Sequence, residues 1–131
     1  DRGLNNVLTQ EQRMTLAVLG YLYFRMGRND AAKRIFSLLL AASSEQADRL
    51  SRQAHALLAA VAIEDGKGEI ALRHLHAAMD GAILSSRDAA LHLLRARALW
   101  LLDRKDEARD AVQSYMVLSG TPGTSEGETD S

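Results

Sequence analysis

Gly27, Gly66, Gly81 and Gly120 each follow a helix-length stretch of apolar residues at three- and four-residue spacing. With a single Pro in 131 residues, these glycines are the main helix stops the chain has. Glycine takes up the left-handed conformation that closes a helix without the steric penalty of a Cβ. Starts match the stops: Thr9 with Gln12 and Ser43 with Gln46 have capping-box spacing, and Ser85 with Asp88 a looser form of it. The punctuation predicts helices over 10–26, 30–42, 45–64, 69–80, 87–102 and 105–118. No alternating stretch long enough for a strand competes with them, and two Phe, three Tyr and one Trp are too few aromatics for a β-sandwich. The expected class is all-α. The linkers Gly27-Arg28-Asn29, Gly66-Lys67-Gly68 and Asp103-Arg104 are so short that the helices they join must run antiparallel, giving three helical hairpins.

Composition removes several kinds of function. A net charge of -1 gives no overall field for nucleic acid, and the absence of Cys removes disulfide scaffolds, thiolate zinc sites and thiol nucleophiles. Charge is uneven: Glu126, Glu128 and Asp130 fall in a C-terminal stretch with no Lys or Arg, leaving 16 basic against 14 acidic residues over 1–119. Residues 120–131 have no apolar side chain to offset the entropy of ordering, so they read as a disordered acidic tail behind a single domain at 1–119. The longest apolar run, Leu16 to Phe24, is half the length of a membrane span, and no signal peptide is visible. The expected location is the cytoplasm, without membrane insertion.

The three hairpins share a register. In the first, Leu16, Leu19-Gly20, Tyr23, Gly27, Ala32 and Phe36 resemble the tetratricopeptide pattern of a large residue, Leu-Gly and Tyr on one helix, then Ala and an aromatic on the next. Small residues at Gly20 and Ala32 suit a close helix crossing, with Leu16, Leu19, Tyr23 and Phe36 filling the space beside it. Leu58-Ala59, Gly66, Ala71 and Leu75 repeat the pattern, and Ala96, Leu99, Ala108 and Val112 repeat it again, with Arg95 at the Leu position. The Ala32–Ala71 and Ala71–Ala108 spacings of 39 and 37 exceed the 34 of a regular array, so the repeats are divergent. The resemblance implies three tetratricopeptide-like hairpins in a short right-handed solenoid, whose first helices line a concave groove.

A second stripe on those first helices supplies the candidate binding residues. Met14, Ala17, Tyr21 and Phe24 recur at helical spacing beside the hairpin stripe. The equivalent positions are Gln53, Ala56, Ala60 and Ile63 in the second hairpin and Ala90, Leu93, Arg97 and Trp100 in the third. Of these, Met14, Ala17, Tyr21, Phe24, Ile63, Leu93, Arg97 and Trp100 are the expected partner contacts, because aromatic, Met and Arg side chains are what anchor protein partners. Arg97, beside Leu93 and Trp100, is suited to a bidentate hold on a carboxylate. Arg87, Arg95, Arg104, Lys105 and Arg109 are interleaved with Asp88, Asp103, Asp106, Glu107 and Asp110 and read as a solvated face.

Within the repeat class the chain resembles the small tetratricopeptide chaperones of bacterial type III secretion, in particular the YscY type. The residues that carry the likeness are Leu16-Ala17-Val18-Leu19-Gly20-Tyr21-Leu22, the turn Gly27-Arg28-Asn29 leading to Ala31-Ala32, and the closing helix Asp106-Glu107-Ala108-Arg109 through Tyr115-Met116-Val117-Leu118. The family implies a cytoplasmic chaperone that holds a small secreted export protein of the YscX type in its groove, as a heterodimer. It keeps this client soluble and presents it to an export gate protein of the YscV type. The alternatives are a general tetratricopeptide adaptor or a related chaperone for translocator or needle subunits.

Catalytic, metal and cofactor sites have no constellation in the sequence. His74 and His76 turn about 200° from each other on a helix and cannot chelate one ion from it. His55 and His92 hold equivalent places in two hairpins and read as packing or surface residues. Gly66-Lys67-Gly68-Glu69 lacks the spacing of a phosphate loop, and Ser119-Gly120 lacks the frame of a nucleophile elbow. The chain is expected not to be an enzyme.

Overall fold

The computed structural model describes residues 8–42, 48–80 and 84–120. Over these the chain is all-α. Helix α1 is Gln10–Arg25, α2 Asn29–Ala41, α3 Arg49–Glu64, α4 Gly68–Met79, α5 Ala89–Leu101 and α6 Lys105–Ser119, with a 3₁₀ turn at Ser86–Asp88 leading into α5. The Thr9–Gln12 capping box forms in both directions, at 2.9 and 3.1 Å. The Ser85–Asp88 box also forms, although it heads the 3₁₀ turn, and α5 itself starts at Ala89 rather than at 87. The largest departure is the start of α3. Its cap is Asp48, whose Oδ1 accepts from the Ser51 amide at 2.9 Å. Ser43, Gln46, Gly81 and the tail beyond Gly120 lie outside the described residues.

Three hairpin turns are built alike. Gly27 and Gly66 adopt positive φ of 80° and 74°, and Asp103 takes the same place in the third hairpin with φ 61°. The next residue, in each case basic, returns its amide to a carbonyl five residues back. These bonds are Arg28 to Tyr23 at 2.9 Å, Lys67 to Ala62 at 2.8 Å and Arg104 to Leu99 at 2.9 Å. Such bonds close a helix C-terminus and satisfy its orphan carbonyls. A Cβ at Gly27 or Gly66 would meet nothing within 4 Å, so it is the backbone conformation, not space, that selects glycine there.

Hairpins α1–α2, α3–α4 and α5–α6 stack in chain order. α2 packs on α3 and α4 on α5, while α3 also touches α1 on one side and α5 on the other. The core follows these joints. Ala32, Phe36 and Leu39 of the first hairpin pack with Ala54 and Leu58 of α3. Ala59, Ala62, Ile63, Ala71 and Leu75 of the second pack with Ala98 of α5, and Ala96, Leu99, Ala108 and Ala111 close the third against Leu72 of α4. Thirteen of the twenty buried apolar residues among those described are alanines, so helices approach closely and a few large side chains carry the filling. Phe36 is the largest fully buried one. It occupies the space left by Gly20, where an added Cβ would lie 2.8 Å from the Phe36 ring.

Two positions assigned to the hairpin cores face outward instead. Leu19 is 40% exposed, because α1 turns Leu16, Gly20 and Tyr23 toward α2 and leaves Leu19 on the far side of that arc. Val112 is also exposed, and the neighbouring Ala111 is fully buried in its stead. Outside the core, Arg13 of α1 grips Asp48 through a two-point fork at 2.9 and 3.2 Å. The Arg13 hydrogen bonds hold the Asp48 carboxyl down at about 2, so one carboxylate both caps α3 and ties it to α1. No helix among the described residues is long and apolar enough to cross a membrane.

Candidate functional site

The first helices of the three hairpins, α1, α3 and α5, lie side by side with α3 in the middle. This arrangement decides which stripe residues are accessible. On α1, Met14 and Tyr21 are exposed, and the Tyr21 hydroxyl accepts from Arg25 Nη1 at 2.9 Å. Ala17 and Phe24 are half-buried against the Phe36 cluster. On α5, Leu93, Arg97 and Trp100 share one exposed face at helical spacing. Trp100 is 58% exposed, with the Lys105 ammonium 5.1 Å from its ring centroid.

The middle helix behaves differently. Ile63, expected at the groove surface, is only 6% exposed and packs in the core cluster that includes Ala59 and Ala98. The reason is Ala98: with no side chain beyond Cβ it lets α5 close over Ile63, so Ile63 stabilises the hairpin joint and is closed to a partner. Ala60 is buried too, Ala56 is half-buried and Gln53 is exposed. The stripe therefore consists of two exposed outer segments, Met14 and Tyr21 on α1 and Leu93, Arg97 and Trp100 on α5, flanking small or buried side chains on α3.

Between the N-terminal parts of α3 and α5 lies a cleft of about 440 Å³ that takes in Gln53, Ala56 and Ala90 of the stripe. Arg49 and Arg52 line it, together with Ser85 and Asp88. The two arginines escaped the sequence reading, although their three-residue spacing places them on one face of α3. Small side chains on the floor and guanidinium groups at the wall suit an extended or helical segment that carries a carboxylate.

His55 and His74 form a contact that spacing along one helix could not reveal. They belong to α3 and α4, and their Nδ1 atoms lie 3.0 Å apart, with ring centroids 5.3 Å apart. One ring must donate and the other accept, so the pair requires at least one neutral imidazole. Burial lowers the pKa of His55. Burial, then the His55 and Arg73 charges, lowers that of His74. Burial and Arg95 lower that of His92. A histidine whose folded pKa is depressed leaves the unfolded chain binding more protons, so stability is present above the ordinary value near 6.5 and is lost as pH falls below it. The urea midpoint is expected to drop between pH 7.5 and pH 5.5, and H55Q/H74Q is expected to flatten that drop. An unchanged slope in the double variant would remove the pair from the explanation.

A second exposed apolar surface lies on the opposite side of α1 from its core contacts. Val18 is 60% exposed, and Leu19, Leu22 and Met26 accompany it, with Met14 at the edge shared with the stripe. Among the described residues no group of three or more His, Cys, Asp or Glu is placed to hold a metal ion. The arrangement as a whole offers surfaces for binding. No protein-family model matches the chain, and no curated protein matches its sequence.

Proposed function

We propose that the chain is a tetratricopeptide-like scaffold that holds a protein segment across its three first helices, and that it serves as a cytoplasmic chaperone of bacterial type III secretion. The observation that carries the scaffold reading is the packing order. Each first helix packs on its own second helix, each second helix on the next first helix, and α3 touches both α1 and α5. Three turns of one design at Gly27, Gly66 and Asp103, 39 and 37 residues apart, support the same reading. The client would lie over α3, anchored by Tyr21 and Met14 at one end and by Leu93 and Trp100 at the other. Arg97, and Arg49 and Arg52 in the cleft, would meet its carboxylates. The finer assignment to a YscY-type chaperone, with a small secreted YscX-type client and a YscV-type export gate as receiver, rests on the sequence resemblance in α1, the first turn and α6.

Co-expression with the small secreted proteins of the same secretion system tests this. The expected result is a stoichiometric complex. Y21A/L93A/W100A is expected to weaken it about thirtyfold or more, because exposed aromatic anchors each contribute strongly to binding. The same variant should cost about 1 kcal/mol of folding stability per site, since Tyr21 and Leu93 are only 42% and 37% exposed and Trp100 58%, and its fold is checked by circular dichroism. An unchanged affinity would remove the groove assignment. A complex formed instead with proteins outside the secretion system would make the chain a general adaptor.

A further inference from the structure

The outer face of α1 is self-complementary. Glu11, Met14, Val18, Leu22 and Arg25 are all exposed, and their spacing of 3, 4, 4 and 3 residues reads the same from either end. At 100° per residue the five fall within an arc of about 80°, a single stripe along the helix. Its middle is apolar and its ends carry opposite charges. Neither Glu11 nor Arg25 has an ion-pair partner among the described residues. Tyr21 holds the Arg25 guanidinium at the rim of the stripe through its hydroxyl.

We infer that two copies of this chain associate through α1, antiparallel, about a twofold axis at Val18. That axis sets Val18 against its equivalent, Met14 against Leu22 of the second copy, and Glu11 against its Arg25, so each charged pair forms twice. Parallel pairing would set like charges together at both ends. Four apolar residues of this face, Met14, Val18, Leu22 and Met26, are half or more exposed. With Met26 and Leu19 flanking the stripe they offer at most about 500 Å² per copy, so two copies bury no more than about 1,000 Å², which corresponds to a weak, concentration-dependent dimer. The helices that pack on α1 do so from the other side, through Leu16, Ala17, Tyr23 and Phe24, so nothing in the described fold obstructs the approach. Val18 and Leu22, at the centre of the pairing, belong to neither the core-facing nor the groove-facing side of α1, whereas Met14 borders both surfaces, so the dimer is tested on the chain without a client.

Sedimentation equilibrium of the full chain between about 1 μM and 1 mM is expected to show a monomer–dimer equilibrium. E11R and R25E are each expected to raise the dissociation constant about tenfold, since each replaces two attractive contacts with repulsive ones. E11R/R25E is expected to restore it to within about twofold, because the swapped charges again face each other. The chain has no cysteine of its own, so Val18→Cys should also form a disulfide-linked dimer faster than the exposed Val117→Cys does. A monomer at every concentration would overturn the inference, and so would a dimer that ignores both charge reversals or that the double variant fails to recover. Helical content and melting temperature measured on the same variants separate loss of pairing from loss of fold.

Discussion

Phe36→Ala is expected to remove about 3–5 kcal/mol of stability, the largest effect of any single truncation in this chain. The ring is fully buried between α1 and α2, packed with Leu39 and Leu58 and against Leu16, Tyr23 and Phe24, which would fill the space it leaves only in part. Against a total of roughly 5–15 kcal/mol for a domain of this size, much of the margin would go. Urea denaturation followed by circular dichroism measures it. Gly20 gives an internal control. Gly20→Ala is expected to cost about 1–3 kcal/mol, because its Cβ would press on the Phe36 ring at 2.8 Å and on Ile35 at 3.1 Å. Placed in a Phe36→Leu background, the same substitution should become nearly neutral, since the clash is relieved while the better helix propensity of Ala remains. Additive effects would show that the two positions do not share one space.

Gly68→Ala is expected to destabilise by about 2–3 kcal/mol, for a different reason. Gly68 begins α4 and faces α5, where a Cβ would lie 2.9 Å from the Ala98 carbonyl oxygen and 2.8 Å from Leu102 Cγ. A ring can tilt, but a carbonyl within a helix cannot, so α5 as a whole would have to move away. The joint between the second and third hairpins, where Ile63 and Ala98 pack, should loosen, and amide exchange in α5 should quicken. Gly66→Ala, two residues earlier, is expected to cost about 1–2 kcal/mol through backbone strain alone and to leave exchange in α5 relative to the rest unchanged. Equal acceleration in both variants would argue against the steric account of Gly68.

What the sequence makes legible here is what local sterics dictate. Positive φ at Gly27, Gly66 and Gly120, the Thr9 box, and the pairing of Gly20 with Ala32 and Phe36 follow from residue size and backbone freedom within one hairpin. The positions that misled depend on a neighbour from elsewhere in the chain. Asp48 caps α3 and also meets Arg13, 35 residues away, and that second bond is invisible to capping rules. Ile63 has the period of a surface stripe, and only Ala98 of α5 buries it. Helix α1 is apolar on nearly every side, so period alone does not rank its faces or single out Val18 and Leu22 as exposed. His55 and His74 meet across two helices, at a distance no single-helix spacing encodes.

The stacking order has a consequence for how the molecule comes apart. The first and third hairpins each lean on one neighbour, whereas the second is held on both sides and its α3 carries eight buried residues. In a linear stack of this kind, an end unit can detach while breaking a single joint, but the middle one cannot open without exposing two. Unfolding should therefore begin at either end and reach α3 last. A segment lying across α1, α3 and α5 would fasten both loose ends to the same rigid centre, so its effect on the rate of opening would be felt most in the hairpins that are weakest without it.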